Sequence, residues 1–396
     1  MRILVVADGL EPLLHHSVVG LADRGHHVRV MGATSPLELD PVDRFRLSGS
    51  LKVSADRDRT GRRGRRTAAA LAGVVARNPS GLAEVAGGLR RQHGIGGQFR
   101  RQLTDVLPVL AEHADVVYFE AAYVAAELAV ALDLLPPKVI MCTGSDLRIM
   151  PDLSSWLRRA LPDVFARTAR IVCRSKDLQE WAVRRGAPPG RTEVLYPGVD
   201  LDVFSPRPRP PRRDGVLRMV SVGRLHWVKG YEYAVQATHL GQRRGHQLAY
   251  TIVGGNSGTG AAIDIAVRDL GLDDWVRRTG PKPVAGVRAA LARSDVFVVP
   301  SVSEGVSRAA QEAMAMGLPV ITTDAGGMAE IVSDGVEGFV VPQRDPAALC
   351  DAMVALAADP TLRVAMGERA AARAQAFDAT RHLDRLEAIL SEYARV

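Results

Sequence analysis

The proline-dense stretch Asp202 to Asp214, DVFSPRPRPPRRD, constrains this chain more than any other feature. Pro206, Pro208, Pro210 and Pro211 lack backbone donors and fix φ, so a helix cannot run through them and an extended connection is favoured. The 396-residue chain also exceeds what one hydrophobic core usually fills. The stretch therefore reads as a link between two domains.

The two sides of the link share one pattern. Arg2 to Ala7 (RILVVA) is a short apolar run rich in β-branched residues, closed by Asp8-Gly9, which predicts a buried parallel strand ending in a tight turn. A helical stretch follows to about Arg24, Gly25 stops it, and His27 to Met31 forms a second strand: a βαβ unit. Val116 to Phe119, Val139 to Cys142, Ile171 to Arg174 and Glu193 to Leu195 are further short strands. Beyond the link come Leu217 to Val222, Ala249 to Val253, Val296 to Val299, Val320 to Thr322 and Gly338 to Val341, alternating with helical segments. No short repeat is visible. The expected fold is α/β, two Rossmann-like domains around a cleft, with residues 1–200 in the first and 201–375 in the second.

Several classes of protein are disfavoured. No apolar run reaches the ~18 residues of a membrane span; the best, Val116 to Leu135, is broken by Glu120, Glu127 and Asp133. Met1 to Ala7 enter a strand directly, without a basic start and a cleavage site, so no signal peptide is expected. Cys142, Cys173 and Cys350 are scattered and odd in number, which fits a reduced cytoplasmic protein without disulfides or zinc. All but five of the 51 basic residues are arginine, a skew that suggests a GC-rich genome. The net charge of +7 favours anionic partners. Arginine clusters between Arg57 and Arg101 suggest contact with nucleic acid or with an anionic membrane surface. Nucleic acid is disfavoured: no zinc, helix-turn-helix or aromatic ribonucleoprotein signature is present, and aromatic residues make up only 5%. Reversible contact with anionic lipid is retained as an accessory property.

Three constellations carry chemistry. Gly223-Arg224-Leu225-His226-Trp227-Val228-Lys229-Gly230 follows a strand directly. Open α/β sheets bind ligands at the carboxyl ends of their strands, and two cations there suit a diphosphate whose charge grows as its bond to a sugar breaks. Arg grips two oxygens with a planar fork while Lys acts as a point charge. The alternative is a pair of solvated surface residues. The second constellation is Pro300 to Arg308, PSVSEGVSR, between a strand and a helix expected from Ala309 to Met316. Small residues at Gly305 and Ser307 allow close approach to a helix start, where free N–H groups favour phosphate. Glu304 and Glu312 are eight residues apart, on the order of 12 Å along a helix axis, roughly the length of a sugar-diphosphate-ribose. The alternative is a capping carboxylate plus an ordinary helical one. The third, Thr323 to Glu330, turns through Gly326-Gly327 into a helix; it either walls a ligand pocket or is a plain strand-to-helix turn.

Four stretches resemble family 4 of the glycosyltransferases: SVGRLHWVKG (221–230), the long run 300–341, VCRSKDLQEW (172–181) and VLYPGVDLDVF (194–204). The long run carries the family's Glu-x7-Glu motif as Glu304 and Glu312. The likeness is close over about 115–375 and looser in the N-terminal strand. It implies the GT-B fold, with a C-terminal helix, about 376–396, returning to the first domain. It also implies a retaining transfer from a nucleotide-diphosphate-sugar without a metal or other cofactor. By resemblance, Arg224 and Lys229 hold the diphosphate and Glu304 contacts the donor sugar. Gly305, Val306, Ser307 and Arg308 meet sugar and phosphate, and Glu312 binds ribose. Gly223 joins the donor side, and Gly254 or Lys282 lies near ribose or base.

Two departures bear on the acceptor. Where family members often have a Gly-Gly loop, this chain has Asp8-Gly9-Leu10-Glu11-Pro12, with Gly9 counted on the donor side and His15 and His16 following. Where many have His-Gly-x-Asp, it has Thr143-Gly144-Ser145-Asp146, and Thr143 is no base near neutral pH. His15, His16 and Asp146 are the acceptor-side candidates, and the acceptor is a small molecule, a glycan or a lipid-linked sugar. A sugar-nucleotide epimerase of the same fold is the alternative enzyme.

Overall fold

Parallel strands covered on both faces must be apolar along their length. The computed structural model describes residues 1–7, 12–32, 51–54, 71, 74–75, 78–93, 97–206 and 214–394. In it, the short apolar runs pair into two sheets in which every paired neighbour is parallel. The first holds β1 (Arg2–Ala7), β2 (His27–Gly32), β3 (Leu51–Ser54), β4 (Val116–Phe119), β5 (Lys138–Cys142), β6 (Arg170–Cys173) and β7 (Thr192–Val194), ordered β3-β2-β1-β4-β5-β6-β7. The second holds β8 (Val216–Val222), β9 (Gln247–Val253), β10 (Val276–Arg278), β11 (Val296–Val299), β12 (Val320–Thr323) and β13 (Gly338–Val341), ordered β10-β9-β8-β11-β12-β13.

The chain divides into two compact units. One comprises Met1–Arg174, Leu178–Leu195 and Leu383–Val396; the other comprises Ser175–Asp177 and Tyr196–His382. The change of unit thus falls at 195/196, a few residues before position 200. The return falls at 382/383, after position 376, and a three-residue piece at 175–177 belongs to the second unit.

In the first unit, alternation along β1 serves two layers. Leu4 and Val6 join one core with Phe119, Ile140, Leu161 and Phe165. Ile3, Val5 and Ala7 join another with Val18 and Leu21 of the helix Pro12–Asp23. That second core also takes Leu383, Leu386, Ile389 and Leu390 of the final helix, Ala379–Tyr393. Gly20 makes the fit, since a Cβ there would lie 2.3 Å from Leu383 Cδ2. Arg24 bonds both Asp384 and Glu387 at 2.5 Å, and His26 reaches Glu387 at 2.7 Å. The cysteines, scattered in sequence, are not all apart in space: Cys142 and Cys173 are register partners on β5 and β6, both fully buried.

In the second unit, Leu217 and Met219 of β8 face one core and Val220 the other, the latter shared with Phe297, Val299, Ala313 and Met314. In each sheet the strand order reverses between the first and fourth strands in sequence, β1 against β4 and β8 against β11. Ligands of doubly wound folds bind at that switch point. In the second unit it sets the loops after β8 and β11 side by side. Among the described residues no helix is long and apolar enough to cross a membrane.

Candidate active site

The loop after β8 is shaped by glycine. Gly230 has φ +61°, and a Cβ there would lie 2.1 Å from the Pro300 carbonyl, so only glycine fits between this loop and the one after β11. The two loops are joined again by the Val302 N–H, which donates to Val228 O at 2.8 Å. Gly254, at the end of β9, touches the same loop: its Cβ would lie 1.8 Å from Gly223 O, and its N–H donates to Gly280 O at 3.0 Å. The backbones of Gly223 and Gly254 are thus in contact.

Lys229 meets Glu304 across the junction, Nζ to Oε2 at 2.5 Å, with 23% and 14% of the two side chains exposed. Ser301 Oγ donates to the same Oε2 at 3.3 Å. Arg224 is exposed and has no side-chain partner among the described residues. Lys282 is also exposed, in the segment after β10.

The next helix runs Arg308–Ala315, capped by Ser307, whose Oγ accepts from Ala310 N–H at 3.3 Å. Glu304 therefore stands in the loop, outside the helix. The 12 Å helical rise between Glu304 and Glu312 does not apply, because the helix covers only half of that interval. Gly305, Val306 and Ser307 are buried. Among the described residues none accepts from the N–H groups of Gly305, Val306 or Arg308, whereas Ser307 N–H is turned to Met328 Sδ at 3.4 Å. One of these donors opens the eight-residue helix and two lie in the loop just before its cap; free N–H groups at such a place are the kind that receive anions. Glu312 is 6% exposed and pairs with Arg308 at 3.0 Å. Burial pushes its carboxyl above the ordinary value, and Arg308 works against that shift.

The loop after β12 packs on this helix start. A Cβ at Gly327 would lie 2.6 Å from Gly305 O and 2.5 Å from Ser175 Cβ. The wall reading of residues 323–330 thus has a contact behind it. Glu330 had no signal in the sequence beyond its place in that turn. Its carboxylate accepts Lys176 N–H at 2.8 Å, Asp177 N–H at 3.0 Å and Tyr196 O–H at 2.7 Å, anchoring the start of the helix Lys176–Arg184.

The acceptor-side candidates fare differently. Gly9 and the His15 side chain lie outside the described residues, as do most of the arginines between 57 and 101. His16 is half-buried in the helix Pro12–Asp23 and has a partner within the fold. Asp146 is fully buried, and its carboxylate accepts Ala122 N–H at 2.9 Å and Thr143 O–H at 3.1 Å. It caps the helix Ala122–Glu127, whose own N-cap, Ala121, has no side chain to do so. An acceptor would have to displace these bonds to reach it. Burial raises its carboxyl to about 6.

Residues 217–359 match the family described as Glycosyl transferases group 1, and residues 7–203 match Glycosyltransferase Family 4. Both matches are to glycosyltransferase families, one on each side of the proline-dense link. It is 34% identical over 217 residues to the D-inositol 3-phosphate glycosyltransferase of Kribbella flavida, a match covering 51% of each chain. It is 29% identical over 205 residues to the amylovoran biosynthesis glycosyltransferase AmsK of Erwinia amylovora, covering 50% of each. The chain thus spans about half the length of the curated relatives it matches. Among solved structures, HepE of Anabaena, in complex with UDP and glucose, superposes with a TM-score of 0.71 at 19% identity, over 99% of this chain and 100% of that one. Sucrose-phosphate synthase of Thermosynechococcus elongatus gives 0.72 at 17%, over 99% and 98%. At such identities the likeness is one of fold, and that fold is GT-B.

Proposed function

We propose that this chain is a group 1 glycosyltransferase, a retaining, metal-independent enzyme that moves a hexose-type sugar from a nucleotide-diphosphate-sugar to an acceptor alcohol. The observation that carries this reading is the meeting of Lys229 and Glu304 at the β8/β11 switch point, beside the free N–H groups of Gly305, Val306 and Arg308. The N–H groups receive the diphosphate, and Lys229 and Arg224 stabilise the charge that develops as the sugar leaves. Glu304 takes sugar hydroxyls while holding Lys229, and Glu312 takes the ribose. These cations supply the positive field that a metal supplies in other enzymes. Retention follows if the acceptor enters on the face the diphosphate leaves, with a donor phosphate oxygen taking its proton. The chain's own residues support that route, because Thr143 is not a base and Asp146 is occupied.

The relatives named above are transferases, which disfavours the epimerase alternative. The name of the Kribbella flavida relative makes a phosphorylated polyol a candidate acceptor for this chain, beside a glycan or a lipid-linked acceptor. The basic segment 57–101 would draw an anionic acceptor of this kind to the first unit, from the cytoplasm or from the inner face of a membrane.

The test is a thermal-shift screen with UDP, GDP, ADP and TDP and their sugars. At least one should raise Tm in the parent protein, and the shift should vanish in Glu312→Ala. NMR of the product would then report the anomer, and an inverted product would overturn retention.

A further inference from the structure

The helix Tyr231–Arg243 begins immediately after Gly230 with a buried tyrosine, 2% exposed. Its ring could have been any apolar group, but its hydroxyl points at the candidate donor site. A Cβ on Gly223 would lie 2.8 Å from Tyr231 Oη and 3.6 Å from Lys229 Cε, so phenol and lysine stem lie together against the Gly223 backbone. Among the described residues the hydroxyl has no hydrogen-bond partner. Burial, with Tyr250 and Glu304 adding, pushes its pKa well up, so it remains a neutral O–H donor.

A cavity of about 10 Å³ opens at this point, lined by Ser221, Lys229, Tyr231, Ser301 and Ser307 among others. That is about the room one water needs, and a water is held where two to four polar groups face it. Ser221 Oγ is occupied by Tyr250 OH at 2.7 Å and Val298 O at 2.5 Å. Ser301 Oγ donates to Glu304 and can still accept. Ser307 Oγ accepts from Ala310 N–H and can still donate.

We propose that Tyr231 is a positioning residue of the donor site, holding one bound water that orients Ser301 and, through it, the Glu304–Lys229 pair. The water accepts from the Tyr231 and Ser307 hydroxyls and donates to Ser301 Oγ, whose own proton stays on Glu304. The role in transfer rests on the donor-site reading above; the water site itself does not.

The experiment has two arms. A high-resolution crystal structure of the parent should hold one water within hydrogen-bond distance of Tyr231 Oη and Ser301 Oγ, and Tyr231→Phe, which keeps the ring volume, should lose or displace it. No water in the parent overturns the proposal whatever the enzyme's donor is. In the second arm, hydrolysis of UDP-glucose or GDP-mannose, whichever the parent turns over, should fall about tenfold in kcat for Tyr231→Phe, with donor KM within twofold. Ser301→Ala should fall similarly, and the double variant should fall no further than the larger single effect, because both act through one water. Unchanged kcat in Tyr231→Phe, or multiplicative losses in the double variant, overturns the positioning role. Lys229→Ala separates the two readings: if it also retains activity, the donor-site assignment fails as well.

Discussion

At the residue scale, the chemistry rests on pairing. Lys229 and Glu304 satisfy each other at 2.5 Å, and both are largely withdrawn from solvent. Truncating either leaves the other short of a partner and removes a transition-state contact. Glu304→Ala is expected to lower turnover by at least about two orders of magnitude, corresponding to about 3 kcal/mol, with far-ultraviolet circular dichroism unchanged. Asp146 gives a second test. Its carboxyl is raised from 3.8 to about 6 by burial, so its stabilising protonation is fully present below about pH 3.8 and is lost as pH rises through about 6. The parent should lose on the order of 3 kcal/mol across that window relative to Asp146→Asn. Urea denaturation of both proteins from pH 4 to pH 7 checks it; parallel profiles would refute the shift. Arg224, Lys229 and Glu304 were read as candidates because they follow strand ends, and Glu312 joined them through its spacing from Glu304 and the family resemblance. The destination of each carboxylate was not, since ion pairs with Lys229 and Arg308 depend on rotamers and on loops that meet only in the fold.

At the element scale, strands were read wherever an apolar run stood between turns; two were missed, each at one edge of its sheet, while β7 and β13 at the opposite edges were read. β3 and β10 close one end of each sheet, and β10 is Val-Arg-Arg. An edge strand has a neighbour on one side only and needs less apolar sequence, so periodicity offers little to find. The helix starts at Arg308, one residue before the expected Ala309, so Glu304 lay outside the expected helix as well, and a helical rise measured from Glu304 had no helix beneath its first half. Gly230 is the element-scale test. Its left-handed φ and its 2.1 Å approach to the Pro300 carbonyl leave no room for a side chain. Gly230→Ala should cost about 2–5 kcal/mol in chemical denaturation, and a loss under about 0.5 kcal/mol would show that the loop can move aside.

At the scale of the whole molecule, the two-domain reading came from the proline-dense link and the doubled βαβ pattern, and two all-parallel sheets stand on either side of it. The final helix returns Leu383, Leu386, Ile389 and Leu390 to the core of the first unit. Leu386→Ala should therefore cost about 2–5 kcal/mol. Hydrogen exchange should quicken in β1 and β4 and stay unchanged in β8 and β11; loosening confined to the second unit would contradict that placement. Diphosphate binding at the β8/β11 switch point, with Lys229 in place of a metal, is the proposal on which the other roles depend. Its most direct test is hydrolysis of UDP-, GDP-, ADP- and TDP-sugars in excess EDTA by the parent and by Lys229→Ala. The parent should hydrolyse at least one donor in EDTA, and Lys229→Ala should be slower by about two orders of magnitude or more. Activity that vanishes with EDTA and returns with magnesium or manganese, or a Lys229→Ala variant as fast as the parent, would contradict it.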